Sequence, residues 1–365
     1  MMHVPVRRLA LKQLAIAAAL ASSLALPAAA QVTITQKADQ VTVDIDGKPF
    51  TVFHTGGENL NRVYLHPLRA ASGTVVNRSF PAGQVDGETV DHPHHAGLFY
   101  GHGDVNGLNF WAIQNVKRAP AAATASPGAE SRNLPVASGP AATAQTLGRI
   151  VPKGPVAVKS GKTTGTIDAV LSWLKPDGQP LLTETRKMTF HAHPEVRIID
   201  VDLDLLAIER AEFRDTKEGT FALRMATALE QVPAAAKPGA PTRTGTLKNA
   251  QGGVGEANVW GKRSEWVDYS GRIGNEAVGI VMMDHPANPR HPTYWHSRGY
   301  GLHSINPFGV RDYLNDKTQN GGLTIEPGQR VRFRYRVVIH PGWSSDKISE
   351  LYKAYAQASG PSSDE

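Results

Sequence analysis

The chain has 365 residues, no cysteine, and 39 Lys and Arg against 33 Asp and Glu. Without cysteine it forms no disulfide, offers no thiolate nucleophile and binds no metal through sulfur. So small an excess of positive charge argues against the concentrated basic face that nucleic acid requires, and no nucleic-acid partner is expected.

Arg7, Arg8 and Lys12 give the chain a positive start, residues 9–26 are apolar and Ala-rich, and Ala28 and Ala30 are small residues at the −3 and −1 positions of a cleavage site. This predicts a signal peptide over 1–30, with the paired arginines also compatible with a twin-arginine signal, and a periplasmic or secreted location. The apolar stretch is interrupted and falls short of the ~20 continuous residues needed to span a bilayer, and no later segment is a candidate. Removing the three cations leaves 36 basic against 33 acidic residues, a net of +3 for residues 31–365. That length is read as one domain.

Apolar residues at 41–45 and 50–53 flank Asp46-Gly47, which reads as a hairpin. A second hairpin runs through 169–174 and 181–190 around Lys175-Pro176-Asp177-Gly178. Ile199, Val201, Leu203 and Leu205 alternate with Asp200, Asp202 and Asp204, and Val331, Phe333, Tyr335, Val337 and Ile339 alternate with Arg332, Arg334 and Arg336. Both are half-buried antiparallel strands whose acidic and basic rows could face each other. The aspartate row is read as a wet strand face rather than a cation site. Residues 277–283 form a continuous apolar run suited to a central strand. Residues 119–146 and 232–246 are rich in Ala, Pro, Gly, Ser and Thr and are read as flexible insertions. After Ser344 and Ser345, Ile348, Leu351, Tyr352 and Tyr355 recur at helical spacing, predicting a short C-terminal helix that docks on the sheet. The fold expected is all-β and mainly antiparallel, a sandwich or barrel.

Chemistry concentrates in two loops. Asp91-His92-Pro93-His94-His95 leads into Gly101-His102-Gly103-Asp104-Val105-Asn106-Gly107 and Phe110-Trp111. Imidazole can transfer a proton or ligate a metal, so His92, His94, His95 and His102 suit an acid–base site or, with a divalent metal, a ligand set. The plainer alternative is that these rings only stiffen a long loop. The second loop carries His285, Trp295, His296, Arg298, Tyr300 and Asn306, with aromatics that could stack on a sugar ring and polar groups that could take its hydroxyls or a carboxylate. Glu218, Arg224, Arg62 and Tyr64 are further candidates, Glu218 gaining weight only if it lies opposite the histidines.

These motifs, with Lys217-Glu218-Gly219, Asp268-Tyr269-Ser270-Gly271, Asp284-His285-Pro286-Ala287-Asn288-Pro289-Arg290-His291-Pro292, Asn306-Pro307-Phe308-Gly309 and His340-Pro341-Gly342, resemble the PmoA-like family, exported bacterial proteins often labelled "methane oxygenase PmoA". The sequence departs from that pattern at Ala96, where Arg is usual, and at Gly299, where Asp is usual. A particulate methane monooxygenase subunit crosses the membrane several times, so methane oxidation is not expected of this chain. What the resemblance implies is a large β-sandwich, similar to the galactose-mutarotase-like supersandwich, in a family commonly found beside carbohydrate-degrading genes.

The function expected is that of an enzyme acting on a sugar or glycoside by mutarotase-, lyase- or hydrolase-like chemistry. His92, His94, His95 or His102 serve as acid or base, Glu218 or Asp104 as partner. Arg62, Tyr64, Asn106, Trp111, Arg224, His285, Trp295, His296, Arg298, Tyr300 and Asn306 hold a small-molecule or oligosaccharide substrate. A metal-dependent oxygenase or hydrolase, and a non-catalytic glycan-binding module, are the alternatives.

Overall fold

Asp46 and Gly47 take φ of 60° and 71°, the left-handed pair that a tight hairpin turn needs. They join the strands Gln40–Ile45 and Lys48–His54 of the predicted first hairpin. The computed structural model describes residues 31–56, 61–83, 85–113, 146–232 and 242–357, together with Met1. The predicted signal peptide, nearly all of the insertion at 119–146 and residues 233–241 lie outside the described residues.

Two antiparallel sheets make up most of the molecule. The first has seven strands, in spatial order Val32–Lys37, Gln40–Ile45, Lys48–His54, Tyr64–Leu65, Leu98–His102, Gly219–Arg224 and Leu302–Ile305. The second has nine: Thr246–Asn249, Trp266–Ile273, Glu276–Asp284, Arg330–His340, Arg197–Ala207, Pro180–His191, Thr164–Leu174 and Arg149–Pro152, with Ala157–Lys159 beside Thr164–Leu174. Their inner faces share one core. Tyr100 meets Trp173 and Phe333 at 5.9 and 6.2 Å between ring centroids, Phe50 meets Phe190 at 6.1 Å, and Phe221 stacks on Tyr335 at 4.8 Å. The fold is therefore an all-β, mainly antiparallel sandwich, as periodicity and turn chemistry predict.

The charged rows do face each other. Asp200, Asp202 and Asp204 are in register with Arg336, Arg334 and Arg332. Arg336 donates to both oxygens of Asp200 at 2.6 and 2.8 Å, and Asp204 accepts from Arg330 and Arg332 at 3.0 and 2.8 Å. The predicted helix spans Ser345–Gln357 and buries Ile348 and Tyr355 against Trp266, Val281, Met283 and Val338. One expectation fails at 242–246. Thr246 opens the strand Thr246–Asn249, Gly245 N–H donates to the Glu230 carbonyl at 3.0 Å, and Arg243 donates to the Glu230 carboxylate at 2.9 Å. These fixed backbone and charge contacts make this stretch part of the fold.

Alternation places a second, smaller apolar surface on the outer face of the seven-stranded sheet. Leu98, Tyr100, Phe221 and Leu223 enter the main core, whereas Phe99, Ala222 and Leu302 pack outward with Tyr64, Trp111 and Tyr300. The candidate site stands on this outer surface.

Candidate active site

Two buried arginines shape the histidine segment. Arg78 donates from Nη1 to the Asp91 carbonyl and carboxylate, 2.7 Å each, and from Nη2 to the His92 carbonyl at 2.8 Å. Arg62 donates to the Trp111 carbonyl at 2.6 Å and to the His94 carbonyl, and its guanidinium lies 3.8 Å above the Phe99 ring centroid. Burial lowers both, Arg62 to about 9 and Arg78 to about 10, where Arg78 is also crowded by Arg224. Carbonyl acceptors on both sides thus hold a segment in which His92 adopts φ of 42°.

His92 Nδ1 lies 3.0 Å from Asp91 Oδ2. The other oxygen of Asp91 accepts from Arg78 at 2.7 Å and Arg224 at 2.8 Å. Burial alone would raise the Asp91 carboxyl, but the His92 hydrogen bond and the charges of Arg224, His92 and Arg78 hold it well below the usual carboxylate range. An ionised Asp91 fixes the His92 tautomer with the proton on Nδ1, leaving Nε2 for chemistry. The His92 ring stacks in parallel on His95 at 5.0 Å and on Tyr300 at 5.1 Å, so the two histidine-bearing loops meet here.

His92 and Glu218 are both reachable from solvent, with side chains 42% and 40% exposed. Glu218 stands just before the strand Gly219–Arg224, and Asn306 Nδ2 fixes its approach by donating to the carbonyls of Thr216 and Lys217 at 3.0 and 2.9 Å. Gly103 makes the close approach possible, since a Cβ there would lie 2.8 Å from Glu218 Cβ. Burial raises the Glu218 carboxyl, opposed by the charges of Lys217 and His92. The remaining rings are kept neutral. Burial, reinforced by Arg62, pushes His94 down to about 3, and burial reinforced by Arg298 does the same to His296. His95, with burial and His94 acting together, falls well below its ordinary value.

Beside the Tyr300–His92 stack opens a cavity of about 490 Å³, walled by Asp91, Arg224, Glu230, Arg243, Glu256 and Tyr300. Glu230 accepts from Thr89, Arg224 and Arg243 at 2.9, 3.3 and 2.9 Å, and Glu256 accepts from Arg298 at 2.7 Å. Sequence reasoning missed Arg78, Glu230, Arg243 and Glu256. They lie in unremarkable stretches and acquire meaning only through folding. Asp91 was legible as the head of the histidine motif.

Several predicted residues lie elsewhere. His102 shares the inward parity of Leu98 and Tyr100, so its ring is sealed between Phe213 at 5.4 Å and Phe308 at 5.1 Å, and its Nε2 meets the Arg214 carbonyl at 2.8 Å. Asp104 accepts from Gly107 N–H within its own turn, and Asn106 bonds the backbone of Arg210 and Glu212. His285 packs edge-on to Tyr355 under the C-terminal helix. Trp295 and Phe308 are core residues, the former donating to the Ser264 carbonyl. Tyr64 stacks on His54 at 4.6 Å. The Tyr300 ring stacks on His92 and has the guanidinium of Arg224 4.9 Å from its centroid, so it is already engaged by protein groups. Among the described residues no three His, Asp or Glu side chains gather as ligands for a metal ion, so the proposed set His92, His94, His95 and His102 does not form: the inward-facing His102 is cut off from the others. No helix among them is long and apolar enough to cross a membrane.

A family model described as "Family of unknown function (DUF6807)" matches residues 40–353. No curated protein matches the sequence. Among solved structures, galactose 1-epimerase from Lactobacillus acidophilus NCFM aligns over 86% of this chain and 99% of its own at 10% identity, with a TM-score of 0.36.

Proposed function

The chain belongs to the DUF6807 family, and from that premise and the site geometry we propose that it is an enzyme performing acid–base chemistry on a sugar or glycoside. The observation that carries this reading is the Asp91–His92 pair, with Nδ1 bound to the carboxylate and the ring exposed, in the neighbourhood of a Glu218 carboxyl raised by burial. An exposed imidazole oriented by a carboxylate, together with a second carboxyl reachable from solvent, supplies the two proton-transfer groups that acid–base chemistry requires. Asp91 orients His92, whereas Asp104, expected from the sequence as a partner of the acid or base, bonds within its own turn.

The neighbouring cavity supports the substrate class. Its walls set carboxylates and guanidiniums beside apolar surface that includes Val232 and Tyr300, a mixture that suits a sugar with its hydroxyl edges and apolar faces. The glycan-module reading rested on an aromatic loop of which Trp295 and Phe308 are buried in the core, which favours the enzyme. Cleavage after Ala30 and work outside the cytoplasm remain part of the proposal.

In this scheme His92 Nε2 takes or gives the proton at the reacting carbon or oxygen and Glu218 supplies the opposite transfer, while neutral His94, His95 and His296 supply uncharged surroundings. The test is incubation of the protein with anomerically pure sugars and a glycoside panel, followed by NMR. Turnover that falls about 10²- to 10⁴-fold in His92→Ala and in Glu218→Gln supports the reading. Activity undiminished in both variants, or no conversion of any member of the panel, overturns it.

A further inference from the structure

We infer that the cavity beside His92 is built for a substrate bearing a carboxylate, a uronic acid or its glycoside, and that Arg224 is the residue that grips the carboxylate. This deepens the sugar-enzyme reading and rests on it.

The argument begins with unspent donors. Arg224 is 0% exposed and is one of the cavity walls. All its ion pairs and hydrogen bonds, to Asp91 at 2.8 Å and to Glu230 and Thr89 at 3.3 Å each, leave from Nη2. Nε and Nη1 are buried with no acceptor among the described residues. Leaving such a donor unmade costs about 1–3 kcal/mol and more for a charged group, so buried donors in folded proteins are almost always satisfied by protein, water or ligand. Nε is packed against Gly301, where a Cβ would come within 3.2 Å, so Nη1 is the group left for an incoming acceptor.

No protein carboxylate in the cavity is left to serve it. Asp91 is shared by Arg78, Arg224 and His92, Glu230 by Arg224, Arg243 and Thr89, and Glu256 by Arg298 and the Gly299 N–H. Arg243, which pairs with the other oxygen of Glu230, adds a second cation to the cavity lining. A carboxylate gives Nη1 a charge-assisted hydrogen bond, about twice as strong as the one a neutral hydroxymethyl group can offer. The volume of about 490 Å³ lies in the range of small-molecule sites. Asp91 lines the cavity and holds both Arg224 and His92, so a carboxylate bound at Arg224 is linked through one side chain to the proposed proton-transfer group.

The experiment is calorimetric titration of the full chain with D-galacturonate, D-glucuronate, their methyl esters, and D-galactose and D-glucose. Esterification removes the charge and keeps the ring. Binding of an acid at least about tenfold tighter than its ester, with the preference reduced to near unity in Arg224→Lys, supports the inference. Arg243→Gln, at a less buried side chain, provides a second variant should the first melt early, and it too is expected to lower the preference. Equal binding of acid, ester and neutral sugar overturns the carboxylate subsite and leaves the sugar reading standing. Binding of none of the six overturns both. An acid preference that survives in both variants overturns the assignment to these arginines.

Discussion

At the scale of single residues, the decisive contrast is between His92 and His102, two imidazoles of one motif with opposite fates. His92 sits at the rim with Asp91 on Nδ1, whereas His102 is enclosed by Phe213 and Phe308 and held to about 4 by burial. His102→Leu is therefore expected to lower stability by about 1–3 kcal/mol, the cost of leaving the Arg214 carbonyl unpaired, while turnover stays within about twofold of the unmodified protein. Urea unfolding and initial rates check this, and a 100-fold loss of rate without loss of stability would return His102 to the active centre. Arg78 offers the converse case. Its guanidinium reaches the carboxylate and carbonyl of Asp91 and the carbonyl of His92 at once. One ammonium cannot reproduce that fork, so Arg78→Lys should lower kcat by about tenfold or more with a smaller change in KM, because His92 loses its placement before the cavity loses its walls.

At the scale of elements, the C-terminal helix tests the packing argument without touching the site. Ile348 is 1% exposed against Trp266, Val281, Met283 and Val338. Ile348→Ala should cost about 2–5 kcal/mol in chemical denaturation and leave sugar binding unchanged. The helix, the charged ladder and the hairpins were all legible in the sequence because each carries a period that only one conformation satisfies. Leu98-Phe99-Tyr100-Gly101-His102 carries no such signal. Its two faces are both apolar, one toward the main core and one toward Phe99's outer cluster, so composition could not say on which side His102 falls. The same reason hid the cavity. Glu230, Arg243 and Glu256 come from segments without periodicity and are joined to Arg224 and Arg298 by ion pairs that no local pattern announces. The histidine loop was visible as a cluster, but its conformation depends on donors from Arg62 and Arg78, far back along the chain.

At the scale of the whole molecule, buried neutral histidines couple the fold to pH. His66, His102 and His303 are pushed down to about 4, His94 and His296 to about 3, and His54 and His95 are also lowered, burial being the largest cause in every case. Once the chain unfolds, each ring regains an ordinary value near 6.5 and takes up a proton that the folded state refuses. Because the unfolded chain then binds more protons, their contribution to stability is complete above about pH 6.5 and is lost progressively as pH falls toward 4. Glu218, Asp202 and Asp284 are raised in the fold and act in the opposite direction, binding protons earlier when folded than when unfolded. Seven rings against three carboxylates leave a net uptake of several protons on unfolding near pH 5, each worth about 1.4 kcal/mol per pH unit. The free energy of unfolding measured by urea between pH 7 and 4.5 should therefore fall steeply on the acid side. A flat profile over that window would mean that these rings are solvated in solution, and with them the neutral surroundings assigned to His92.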